Sequence, residues 1–180
     1  MRKMKMRSIC AAMAVTCGML LASCSDEEEK LSVNQEVTET EMIVSGVWKT
    51  GEVIHLDRHL VIPEGESLTI EPGVTILVDD KGVGVNHVPV EISVKGNLYA
   101  LGTEAQPVTF TVAQEMRTEA NTFKGLWGGI VAYASCQEMA LDHVVIEYTG
   151  AQVIEGSPAA VAGIYTAGDD LYPQVTTNNI

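Results

Sequence analysis

Two adjacent pairs of carboxylates, Asp79-Asp80 and Asp169-Asp170, stand apart from the acidic run near the start of this 180-residue chain. Hydrolysis of a glycosidic bond takes two carboxyls held about 5 to 9.5 Å apart across that bond, and calcium takes several carboxylate oxygens at once. Neighbours on a strand point to opposite faces, so each pair offers at most one carboxyl per face. Both pairs read as solvated turn residues; Asp79 and Asp80 are the candidate metal ligands, with calcium the ion that suits them. His55 and His59 lie four apart, about 13 Å along one side of a strand, too far to share a metal. His87 falls in a projecting segment and His143 on an outward position. No His-Glu-x-x-His pair, Gly-x-Ser-x-Gly turn or glycine-rich phosphate loop occurs. Sugars stack on exposed aromatic faces, which makes Trp127, Tyr133 and Phe123 the candidate ligand platform, with Trp127 also suited to core packing.

These side chains need a scaffold, and from residue 53 onward it reads as strand. Val74-Thr75-Ile76-Leu77-Val78, Val90-Glu91-Ile92-Ser93-Val94 and Val108-Thr109-Phe110-Thr111-Val112 alternate, placing one side of each run in a core. Leu60, Leu68 and Ile76 fall eight apart, as do Ile62, Ile70 and Val78, with Pro63-Glu64-Gly65 and Glu71-Pro72-Gly73 turning between them. Three such units occupy about 24 residues, the step from Leu68 to Ile92, as expected of a chain that climbs one three-sided coil at a time. An antiparallel sandwich is the alternative, but the two-residue Asn-Gly and Asp-Gly hairpin loops it favours are absent between the runs. Residues 113–122 and 79–84 interrupt the pattern and are expected to project, the first as a short helix or loop. Loops thrown out from solenoids commonly build their binding faces.

At the other end, Arg2, Lys3, Lys5 and Arg7 precede an apolar stretch that closes on Ala22-Ser23-Cys24. A charged start, an apolar middle and a small-residue cleavage site describe a secretory signal, and the apolar stretch is shorter than the roughly 17 to 25 residues a membrane span needs. Leu21-Ala22-Ser23-Cys24 resembles the lipobox of bacterial lipoproteins, which implies a chain acylated at Cys24 and held to the outer membrane. Ser25-Asp26-Glu27-Glu28-Glu29 is similar to the export signal of Bacteroidetes-type surface lipoproteins and implies display on the cell surface; an anchor facing the periplasm is the alternative. The expected organisation is a signal peptide over 1–23, an acidic flexible tether over 24–41 and a folded domain over 42–180. Removing the leader leaves seven basic against 24 acidic residues. Such a balance excludes nucleic acid as a partner, because binding it needs clustered Lys and Arg. Of four cysteines only Cys136 remains unassigned, so no internal disulfide forms.

A family resemblance is carried by Leu68-Thr69-Ile70-Glu71-Pro72-Gly73-Val74-Thr75-Ile76, then Ile92 to Thr103, Gln106 to Thr111, and Trp127-Gly128-Gly129-Ile130. These segments resemble consecutive parts of right-handed parallel β-helices of the pectin-lyase-like class. The likeness continues through Met139 to Gly150, with Val144, Ile146 and Tyr148 expected inward and His143 and Glu147 outward. It implies a relationship to polysaccharide lyases and glycoside hydrolases, the lyases using carboxylate-held calcium with an arginine or lysine base. The last rung, Val161 to Tyr165, has no capping element after it, so either the solenoid continues past residue 180 or a partner covers it. The resulting expectation is a lipid-anchored binding or adhesive scaffold with a glycan or cell-surface partner, no cofactor beyond calcium, and no catalysis. The alternative is a polysaccharide lyase or glycoside hydrolase whose active groups lie beyond residue 180.

Overall fold

The alternation that dominates the sequence becomes a stack of short strands in the computed structural model, which describes residues 33–151, 163–167 and 174–180. One turn of the chain shows how the residues produce it. Strands β4 (His59–Ile62), β5 (Ser67–Ile70) and β6 (Thr75–Val78) lie on three successive faces. Their inward residues Leu60, Ile62, Leu68, Ile70, Ile76 and Val78 are all buried. Each such side chain removed from water contributes about 1.5 to 3 kcal/mol. Between the strands Gly65 and Gly73 adopt φ of +79° and +80°, a left-handed backbone that glycine enters without steric cost. That requirement explains why the Pro-Glu-Gly and Glu-Pro-Gly turns recur with the same eight-residue step.

Before this coil, β2 (Glu41–Trp48) and β3 (Val53–Leu56) form an abbreviated one. After it come β7 (Glu91–Val94), β8 (Asn97–Leu101) and β9 (Val108–Val112), then β10 (Gly129–Tyr133), β11 (Glu138–Asp142) and β12 (Val144–Ile146), then β13 (Ile164–Ala167) and β14 (Gln174–Asn178). Strands stack in parallel register into three faces. Sheet A runs β13-β10-β7-β4 onto the first half of β2, sheet B runs from the second half of β2 through β5-β8-β11-β14, and sheet C is β12-β9-β6-β3. The inward side chains make columns: Met42, Leu60, Ile92, Ile130 and Ile164 in sheet A, Leu68, Leu98, Met139 and Val175 in sheet B, and Ile54, Ile76, Phe110 and Ile146 in sheet C. The architecture is a parallel β-helix and not a sandwich; the one antiparallel pairing between named strands joins β1 (Asn34–Val37) to β2.

Three expectations change in detail. The 24-residue step from Leu68 to Ile92 does not join stacked residues: Ile92 lies over Leu60, 32 positions earlier, and Leu68 lies under Leu98, 30 positions later. The excursion between β6 and β7 lengthens that coil without disturbing its strands. The expected tether over 24–41 gives way to structure at Asn34, where exposed β1 pairs with β2, and the coil begins at Glu41. His55 and His59 do not share a strand, since the chain turns from β3 to β4 between them.

Candidate functional site

Where the chain passes from sheet C to sheet A, consecutive coils throw out two excursions. Residues 79–90 form a small antiparallel bridge: the Val83 N–H donates to the Val88 carbonyl at 2.7 Å and the Val83 carbonyl accepts the Val88 N–H at 3.0 Å. Val83 itself is buried with the core. Residues 113–128 contain two 3-10 turns, Gln114–Met116 and Glu119–Asn121, braced by Arg117 Nε donating to the Val112 carbonyl at 2.9 Å. Both excursions are therefore built structures with apolar feet, while Val85 and Phe123 stand almost fully exposed on them.

Between the roots of these excursions lies a groove of about 310 Å³, lined by His55, Leu56, Asp57, Leu77, Val78, Asp79, Asp80, Lys81, Ala113, Glu115 and Met116. Asp57 takes a bidentate grip from Arg58, Nε to Oδ1 at 2.6 Å and Nη2 to Oδ2 at 2.9 Å. That hydrogen bonding holds its carboxyl below the usual range. Asp79 Oδ1 accepts the Lys81 backbone N–H at 2.6 Å, and Lys81 Nζ lies 4.0 Å from Oδ2. Among the described residues no hydrogen bond engages Asp80 or Glu115. Asp79 is thus turned toward its own loop, and no three His, Cys, Asp or Glu side chains converge as a metal site among the described residues. The oxygen set that calcium requires is not assembled around Asp79 and Asp80.

The outer face of sheet A holds a second polar constellation. Glu91 opens β7 on an outward position, yet is only 6 % exposed. Its Oε1 accepts from Ser93 Oγ at 2.7 Å and Tyr133 Oη at 3.1 Å, and its Oε2 accepts from Tyr165 Oη at 3.0 Å. Three donors satisfy a charge that would otherwise be costly to bury. Burial, with the nearby Glu91 charge, pushes the Tyr133 and Tyr165 hydroxyls up from their ordinary range, so both stay protonated as donors. His59 Nδ1 accepts the Glu91 backbone N–H at 3.2 Å. Burial pushes the imidazole down, partly opposed by Glu91 and Glu41.

The three aromatic candidates are not brought together as a platform. Trp127 is fully buried and its Nε1 donates to the Glu147 carbonyl at 2.8 Å, so the expected stacking role is corrected to core packing. Phe123 is fully open on its excursion, and Tyr133 lies on sheet A. Val144 is buried and Ile146 and Tyr148 pack against the core, as expected, but His143 occupies the corner between β11 and β12 with φ of +47°. Cys136 is free and buried, and burial pushes its thiol up, which suits an inert apolar side chain. Cys24 and Asp169-Asp170 lie outside the described residues. Among the described residues no helix is long and apolar enough to cross a membrane. Glu91, Ser93 and Tyr165 escaped the sequence reading: Glu91 and Ser93 occupy positions that alternation assigns to solvent, and only the strand register links them to Tyr165, 74 residues from Glu91.

Three parallel faces around an aliphatic column, with excursions at one corner, define the class of parallel β-helix proteins. Within that class, the sequence pattern of the pectate-lyase like beta helix domain matches residues 39–140, more than half of the chain, and the chain belongs to that family. The fold is thus a carbohydrate-related one. No curated protein and no solved structure matches the chain.

Proposed function

We propose that this chain is a lipid-anchored extracellular scaffold that binds glycans in the groove between its two excursions. The observation that carries the reading is the groove itself, where the carboxylates of Asp80 and Glu115 sit beside the apolar side chains of Leu77 and Met116. Carboxylates accept hydrogen bonds from sugar hydroxyls, and the apolar wall accepts the C–H face of a ring. Asp57 and Asp79, already engaged by Arg58 and Lys81, set the shape of the site. The acidic balance of the chain favours neutral or basic glycans over uronic acids. Acylation at Cys24 would hold this groove at the outer membrane, facing outward.

A glycan array probed with the chain lacking residues 1–23 tests the reading. A retained neutral glycan should lose about tenfold in affinity in Asp80→Asn and again in Glu115→Gln, the size of one charge-assisted hydrogen bond each. An array that retains nothing, or retention unchanged in both variants, would remove the groove from consideration. Labelling of expressing cells with radioactive palmitate should mark the parent and spare Cys24→Ala.

A further inference from the structure

The Glu91 constellation is larger than a fold-stabilising bond requires. Tyr165 pairs with Val131, which pairs with Ser93. Tyr165 therefore stands two strands and two residues from Glu91, roughly 12 Å away across the sheet surface. Tyr133 is four residues along from Gly129, the partner of Glu91, and roughly 14 Å away. Side chains standing off the sheet cannot close such distances. Both tyrosines must lie along the sheet to bring their hydroxyls within 3.1 Å of the carboxylate, and between them the outward side chain of Val131 is fully buried. Each ring thus runs along the sheet near buried Val131 with its hydroxyl fixed on Glu91. Both tyrosines remain half-buried. The ammonium of exposed Lys95 lies over the Tyr133 ring, 5.8 Å from its centroid, a mobile surface side chain that a stacking sugar would displace from that face.

We propose that Tyr133 and Tyr165 form a preorganised aromatic platform on the outer face of sheet A that stacks against the apolar face of a neutral sugar ring, with Glu91 as the positioning residue that fixes both rings. The proposal rests on the glycan-binding reading and adds a second subsite and a ligand class to it. Two amphipathic rings held still bind at low ordering cost. The buried carboxylate beneath them, on a chain with 24 acidic residues, disfavours uronic acids. A staple between coils would need the hydroxyls alone; the platform needs the rings.

Titration calorimetry of the full chain with cellohexaose and maltohexaose, and with trigalacturonate as the charged probe, separates these roles. At least one neutral hexasaccharide should bind more tightly than trigalacturonate. Tyr133→Ala and Tyr165→Ala should each weaken it about tenfold, while Tyr133→Phe and Tyr165→Phe, which keep the ring but lose the hydroxyl that Glu91 holds, should fall between the parent and the alanine variants. Folded alanine variants that bind like the parent would reduce Glu91 to a staple and overturn the platform; loss of the same binding in Asp80→Asn would then leave the groove reading standing. Where the alanine variants fail to fold, saturation transfer from the hexasaccharide to the Tyr133 and Tyr165 ring protons of the parent decides, and its absence overturns the platform. Preference for trigalacturonate overturns the ligand class.

Discussion

The corner from sheet A to sheet B and the corner from sheet C to sheet A are turned by the same chain under opposite constraints. Between β7 and β8 only Lys95 and Gly96 intervene, and both N–H groups donate to the Ile62 carbonyl of the coil below at 3.0 Å. A Cβ on Gly96 would collide with the carbonyl oxygens of Pro63 and Glu66. At the sheet C to sheet A corner the links grow from two residues, Asp57 and Arg58, to the long excursions 79–90 and 113–128. There a Cβ on Gly84 would meet nothing within 4 Å. The short β7–β8 link carries the stacking geometry at Gly96, while the long links are open to elaboration at Gly84 although closed at Gly82, where a Cβ would meet the His87 carbonyl. Length added to a surface loop costs little, because closure entropy grows slowly with loop size, whereas an atom added at a packed corner must displace backbone.

The largest effect that would sharpen this contrast is expected at Gly96. Gly96→Ala should cost more than about 3 kcal/mol or prevent soluble folding, since two backbone carbonyls must move; a denaturation midpoint close to the parent would mean the tight corner yields more readily than its geometry implies. An intermediate effect is expected at His59, where sheet A begins its full coils. Burial lowers the pKa of this imidazole, so the unfolded chain takes up a proton first as the pH falls below 6.5. The stability that neutral His59 contributes is present above 6.5 and is lost as the pH drops through the folded value, when protonated Nδ1 can no longer accept the Glu91 N–H. Melting temperature against pH should fall more steeply below 6.5 in the parent than in His59→Asn, which keeps an acceptor and does not titrate. Parallel curves for the two proteins would assign the acid sensitivity elsewhere. The smallest effect belongs to the open corner: Gly84→Ala should cost about 1 kcal/mol, from its positive φ alone. A loss as large as that at Gly96 would erase the distinction between the corners.

The same contrast explains what could be read from the sequence. Within the coil from Leu60 to Val78, strand period and turn chemistry are both local, so alternation and two Pro/Gly turns identify three faces directly. Stacking between coils depends on the length of the link at the open corner, which carries no periodic signal; hence the 24-residue spacing points from Leu68 to Ile92, while Ile92 lies over Leu60. Trp127 was ambiguous because an aromatic at the end of an excursion can face either way, and burial decides it. Outward positions were legible only as polar or apolar. That Glu91 is enclosed by hydroxyls from two later coils follows from register, and no spacing within one strand announces it.

β1 gives the molecule a mechanical property. Its four residues run antiparallel to β2, with Asn34 opposite Ser45 at the open end of the hairpin and Val37 opposite Met42 near the turn. Tension arriving from upstream would act first on the Asn34 pair and peel the strand away one rung at a time, before any pair of the parallel ladder opens. A short sacrificial zipper of this kind would lengthen under a tug and close again when slack returned, sparing the solenoid behind it.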